Sequence, residues 1–201
     1  YVVCAYCQTV IARGGEEVRA MGKAAVLAFD GSPLQIGTTG VIDGQAFSVV
    51  GRVRWGWSDG SWNEWLLDCS DGTPRWLGEA MGQFMLTVER PDLEEAPWAK
   101  AFAEGAAPGR TSMIELDGEV FAPSDLKVVN CIGSEGSLPF PAEANWGVTS
   151  LDMNSPSGKA ISLQRDARGM QVWAGRYVAL AELRPANLRK IDGWPMPNLL
   201  K

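Results

Sequence analysis

Trp55-Gly56-Trp57-Ser58-Asp59-Gly60-Ser61-Trp62-Asn63-Glu64-Trp65 holds four of the chain's nine tryptophans and decides the reading of everything around it. The run Phe47-Ser48-Val49-Val50-Gly51-Arg52-Val53-Arg54 leads in, and Leu66-Leu67-Asp68-Cys69 leads out. Strict alternation places Phe47, Val49, Val53, Trp55 and Trp57 on one face and Ser48, Val50, Arg52 and Arg54 on the other, the period of a half-buried strand. Ser58-Asp59-Gly60-Ser61 is turn chemistry between two β-rich runs, so the stretch is expected to be a hairpin.

Outward from the hairpin the same vocabulary recurs. Asp43-Gly44 and Ser70-Asp71-Gly72-Thr73 are turns, while Arg75-Trp76-Leu77 and Phe84-Met85-Leu86-Thr87-Val88 are short strands. With 23 glycines and 12 prolines, the composition favours many short strands over helices. Further on, Asp117-Gly118-Glu119-Val120-Phe121 repeats the D-G-x-x-F of Asp43 to Phe47, and Trp173-Ala174-Gly175 echoes Trp76-Leu77-Gly78. This internal repeat suggests a duplicated unit. Strands are expected over Leu126–Ile132, Trp146–Leu151, Ala160–Gln164, Met170–Ala174 and Tyr177–Leu183, with the loop Gly133 to Ala144 as the extra length of the second copy.

The expected fold class is therefore mainly all-β: two small antiparallel SH3-like barrels or coiled sheets in tandem. Residues 1–12 are half of a zinc-ribbon knuckle and 13–31 a linker with a short helix over Val18–Leu27. Residues 32–90 form the first barrel. Residues 91–111 are a proline- and alanine-rich connector whose helix, Ala96 to Glu104, docks through Trp98 and Phe102. Residues 112–184 form the second barrel and 185–201 an extended arm.

Charge and missing residue types exclude several functions. Net charge is −6 and pI about 4.8, which argues against nonspecific nucleic-acid or anionic-membrane binding. Arg52 and Arg54 then read as a solvated strand face rather than a nucleic-acid patch. No apolar run approaches the roughly 18 residues of a transmembrane helix. The chain lacks histidine, which removes Ser-His-Asp and Cys-His catalysis and histidine-ligated metal sites. Cys4-Ala5-Tyr6-Cys7 suits one half of a tetrahedral zinc-thiolate site. Cys69 and Cys131 are single and distant, so either the second pair precedes Tyr1, or the motif is a redox pair, or these are plain thiols. The chain opens on Tyr1 rather than methionine, which favours the first reading.

Ser32-Pro33-Leu34-Gln35-Ile36-Gly37-Thr38-Thr39-Gly40, Phe47 to Val53, Trp62-Asn63-Glu64-Trp65-Leu66-Leu67 and Arg75-Trp76-Leu77 together resemble the bacterial domain of unknown function family 4178, with W-x-E-W-x-L as the most specific part. The resemblance covers Cys4 to Leu183. It implies a cysteine-knuckle ribbon ahead of a β-rich domain, with Cys4 and Cys7 as its second pair of structural zinc ligands. It also implies a cytoplasmic, envelope-stress or polyamine-linked setting, with a membrane-adjacent partner among the expectations. It implies no activity.

Three functional readings follow. The first is a non-catalytic protein-interaction or scaffold module. The second is a tryptophan-lined acidic site for a cationic small molecule or a Lys/Arg-rich peptide, built from Trp55, Trp57, Trp62, Trp65, Trp76, Asp59, Glu64 and Asp68, because ring faces and carboxylates together recognise ammonium. The third is an enzyme using Glu64 and Asp68 as an acid/base pair. Against the second stands plain packing, in which the tryptophans fill small cores that lack other large residues.

Overall fold

The computed structural model describes residues 1–14, 17–23, 27, 30–109 and 112–191. Strands dominate, as the alternation requires. β1 (Val2–Val3), β2 (Thr9–Gly14) and β3 (Glu17–Lys23) form a small antiparallel sheet. The helix expected over Val18–Leu27 is thus a strand through Lys23, paired with β2 from Thr9 to Gly14; residues 24–26 lie outside the described residues.

The main sheet has ten strands: β4 (Thr39–Ile42), β5 (Gln45–Trp57), β6 (Gly60–Cys69), β7 (Arg75–Ala80), β8 (Gln83–Glu89), β9 (Ile114–Leu116), β10 (Glu119–Gly136), β11 (Gly147–Asn154), β12 (Lys159–Asp166) and β13 (Gly169–Val178). The two expected coiled sheets are present as the meanders β5–β8 and β10–β13, and neither closes on itself. They join edge to edge, β8 to β13 on one side and β5 to β10 on the other. The pairings therefore run in an eight-strand circuit. The β5–β10 contact that completes it is confined to Gly51–Gly56 and Asn130–Gly136. In each half a two-residue turn, Asp43-Gly44 or Asp117-Gly118, takes positive φ at both positions and feeds the long strand of its meander. The Trp-x-Gly echo is less regular, since Trp76 falls on the third strand of its meander and Trp173 on the fourth of the other.

A β-bulge at Val50 corrects the expected face of β5. Phe47 and Val49 lie on the outer face, but the extra residue shifts the phase, so Val53 and Trp55 turn inward. Arg52 takes the outer face that alternation had given to an apolar residue, and it is buried at 2% exposure rather than solvated. Two apolar layers cover the ring's outside. Leu34, Phe47, Trp65, Leu77, Phe84 and Leu183 form one, under the 32–38 segment and a 3-10 turn at Leu180–Leu183. The other packs Leu151, Met153, Ile161 and Leu163 beneath α1 (Pro97–Ala103), which docks through Phe102 and Trp98 as its sequence implied. Tyr177–Leu183 is thus no single strand: β13 ends at Val178. Ala186 pairs with Thr39, and Arg189 donates to the Pro33 carbonyl at 2.7 Å, so the start of the expected arm is packed. Residues 192–201 lie outside the described residues. Among the described residues no helix is long and apolar enough to cross a membrane.

The β5–β10 seam depends on glycine. A Cβ on Gly51 would lie 2.0 Å from the Ser137 carbonyl oxygen, and one on its partner Gly136 2.2 Å from the Val50 carbonyl oxygen. Gly51→Ala is expected to cost about 3 kcal/mol in urea unfolding through forced strand separation, whereas Gly109→Ala, with open space around it, changes little. Equal stability of Gly51→Ala and the parent would refute the seam.

Candidate functional site in the lumen of the ring

Register decides which side chains face the inside. Directly paired residues share a face, so Trp62, Glu64 and Leu66 of β6 point inward together with Trp76 and Gly78 of β7 and Met85 and Thr87 of β8. From the other half come Ser150 and Asp152 of β11, Ser162 and Gln164 of β12, and Trp173 and Tyr177 of β13. Their polarity suits a solvated face in a single open sheet. Edge-to-edge joining turns that face inside.

The lumen has two zones. At one end Val53, Trp55, Leu66, Val129, Cys131 and Val148 form an apolar plug with Leu138 and Ala142 from the 137–146 segment. Aromatic rings finish it: Trp55 meets Trp146 edge-on at 5.1 Å, and Phe140 stacks on Trp76 at 5.7 Å. Toward the other end a cavity of about 410 Å³ opens, bordered by Trp57, Trp62, Glu64, Asp125, Lys127 and Asp152, among others. That volume is within the range of small-molecule sites. A small hollow of about 30 Å³, lined by Glu64, Gln164 and Trp173 among others, shares lining residues with both plug and cavity.

Glu64 is the centre of the site. Its Oε1 accepts from the Trp62 indole N–H at 3.1 Å and, across the lumen, from the Gln164 amide at 2.8 Å. Burial pushes its carboxyl above the usual range, against the hydrogen bonds that favour ionisation. The Trp55 indole N–H lies close to the same carboxyl yet makes no hydrogen bond, and neither does that of Trp173. Asp152 has one buried oxygen, Oδ1, without a partner. Burial first, then the charges of Glu64 and Asp125, push its carboxyl up to about 6 against the Ser162 hydroxyl and the charge of Lys127. Among the described residues bordering the cavity, Lys127 is the single cation, against inward carboxyls at Glu64, Asp125 and Asp152.

The predicted site residues are divided by the wall. Trp57, Trp62 and Glu64 border the cavity; Trp55 and Trp76 belong to the plug. Trp65 faces outward and is fully buried, with the Arg52 guanidinium 4.7 Å from its ring centroid. Asp59 is exposed in the hairpin turn, and Asp68 is exposed at the far end of β6, so Glu64 and Asp68 do not form a pair. Asp152, Gln164, Ser162 and Lys127 were missed. Their one signal was the regular polar spacing Ser150-x-Asp152-x-Asn154 and Ser162-x-Gln164, which an open sheet would simply solvate.

Behind Trp65 lies a buried polar network. Arg52 donates to Asn63 Oδ1 at 2.7 and 3.1 Å and to Glu135 at 3.1 Å, and also pairs with Asp30. Glu79 Oε2 accepts from Ser32 at 2.7 Å, Trp65 at 2.9 Å and Asn63 at 3.1 Å. Burial pushes the Asp30 carboxyl up, but the Asn63 amide and the charges of Arg52, Arg54 and Arg189 outweigh it and hold it low. A larger hollow of about 700 Å³ adjoins this network, and the chain already matches its charges internally. We therefore place the candidate site in the lumen.

Cys4 and Cys7 flank a tight turn closed by Gln8 N–H to the Cys4 carbonyl at 2.9 Å. A hydrogen bond with the Thr9 hydroxyl leads the contributions that lower the exposed Cys7 thiol to about 7. Among the described residues no third or fourth ligand joins them.

A mainly antiparallel β protein whose strand pairings run in an eight-strand circuit, with an apolar plug at one end and an acid-lined cavity at the other, is the class these features define. A family model described as Domain of unknown function (DUF4178) matches residues 35–180, and the chain belongs to that family. No curated protein and no solved structure matches.

The raised Asp152 carboxyl has a measurable consequence. Below about pH 4 both states are protonated, and between about 4 and about 6 only the unfolded state ionises. Folding stability therefore falls across that window and the penalty is constant above it. Asp152→Asn is expected to raise the melting temperature at pH 8 by about 3 °C and to leave it unchanged at pH 3.5. An equal shift at both pH values would contradict the assignment.

Proposed function

We propose that the lumen binds a small cationic ligand, polyamine-like or the side chain of a Lys/Arg-rich peptide. One observation carries the reading: a cavity of ligand size in which carboxyls outnumber ammonium groups and two indoles, Trp57 and Trp62, form part of the wall. The unpartnered Asp152 Oδ1 supports it, because a buried acceptor left without a donor costs free energy that a ligand's N–H would recover. The eight-strand circuit supplies the frame, since a ring of this size has room for one small ligand.

A protein-interaction or scaffold role is a second reading, favoured by a different surface. Leu126, Val128 and Ile132 on the outer face of β10 are 41%, 71% and 43% exposed, an apolar strip suited to a partner chain. For the knuckle we propose that Cys4 and Cys7 are half of a structural zinc site completed by two further ligands outside the described residues, supported by the lowered Cys7 thiol and the turn geometry.

For the lumen, an organic dication such as spermidine is expected to quench tryptophan emission saturably. Trp62→Ala or Asp152→Asn should each weaken binding about five- to tenfold, on the order of 1 kcal/mol. Unchanged emission at millimolar ligand would refute the proposal. For the knuckle, the full chain should carry one zinc per molecule that Cys4→Ser removes; a folded, zinc-free full chain would refute it.

A further inference from the structure

Lys127 is on the inward face of β10, paired in register with Ser150, and borders the cavity mouth. Its Nζ lies 4.9 Å from the centroid of the Trp57 ring and is ion-paired with Asp125. Trp57 in turn leans on Trp62 at 5.6 Å. An indole face and a carboxylate on one ammonium are the two elements by which a protein recognises a primary amine. At this mouth the chain's own lysine is already seated on them.

The seat is easily vacated. The Lys127 side chain keeps 29% of its surface exposed and Asp125 46%, so the pair is solvent-screened and weak. An unbranched stem lets the ammonium swing into water without disturbing the strand. Deeper in, neither Asp152 nor Glu64 is ion-paired among the described residues, and Lys127, held on Asp125, reaches Asp152 only as a more distant charge, so a ligand with a second ammonium gains direct contacts that Lys127 does not make.

We propose that Lys127 is a built-in occupant of the lumen's cation seat, and that the ligand is an unbranched primary alkylammonium that displaces it. The inference rests on the lumen being a cation site and adds to it the ligand's chemical class and a competing residue. A free diamine and a lysine side chain presented by a peptide share this chemistry.

Two measurements test it together. Calorimetry compares the parent with Lys127→Met, which keeps an unbranched stem and removes the charge, using 1,4-diaminobutane and Nα-acetyl-lysine amide as the two ligands. Loss of the competitor is expected to tighten binding about tenfold, a change of about 1.4 kcal/mol. Tightening for the diamine identifies a free amine as the source, and tightening for the lysine amide alone identifies a peptide. In parallel, the Lys127 side-chain methylene protons of the parent, shifted upfield by the Trp57 ring, should move to free-lysine values at saturation. That second readout stands even if the variant fails to fold. Binding by the parent with no gain in Lys127→Met, or with unmoved Lys127 signals, overturns the displacement while leaving the lumen a cation site. Absence of binding to parent and variant alike overturns both.

Discussion

Everything in the lumen depends on the pairing of Gly51–Gly56 with Asn130–Gly136. Without it the chain would be one open ten-stranded sheet whose polar inner face lay in water. With it, Glu64, Asp152, Ser162 and Gln164 surround a cavity, and burial raises the two carboxyls. Two glycines permit this contact because backbone carbonyls occupy the space a Cβ would need. The β5 bulge serves the same end by switching the strand's phase between its two partners.

The segment Trp62-Asn63-Glu64-Trp65 lies on both sides of the wall. Its even members face the lumen, where Trp62 donates to Glu64. Its odd members face outward, where Asn63 and Trp65 both donate to Glu79. The two sides handle buried charge differently. Outside, Arg52 has carboxylates and an amide on its guanidinium, which offsets the desolvation a buried ion otherwise suffers. Inside, Glu64 has only neutral donors and Asp152 an unfilled acceptor, Lys127 pairing instead with Asp125 at the mouth. Structural networks tend to satisfy every member, which is why we propose the incomplete side as the ligand's.

Much of the fold was legible in the sequence. The hairpin at Ser58–Ser61, the D-G turns, most strands of both halves and the docking of α1 follow from period and turn chemistry, whereas Gly133–Gly136, expected as the start of a loop, is the end of β10 and pairs with β5. Trp62 with Glu64 on one face was read from alternation. The phase of β5 was not, because a one-residue bulge leaves no mark in Val49-Val50-Gly51. Nor was the burial of Arg52, which needs Asp30 and Glu135 from distant segments. Asp152 and Gln164 were invisible for a plainer reason. A polar face reads as solvated unless the long-range pairing of β5 with β10 is known, and local pattern does not encode that pairing.

The central claim is that the cavity side of the ring, and not the outer tryptophan layer, receives a cation. The assigned indole 1H–15N spectrum tests it most directly as an alkylammonium ligand is titrated. The account predicts that the Trp57 and Trp62 signals shift saturably while Trp65, sealed under Arg52, stays fixed. A shift of Trp65 with Trp57 and Trp62 unmoved would contradict it.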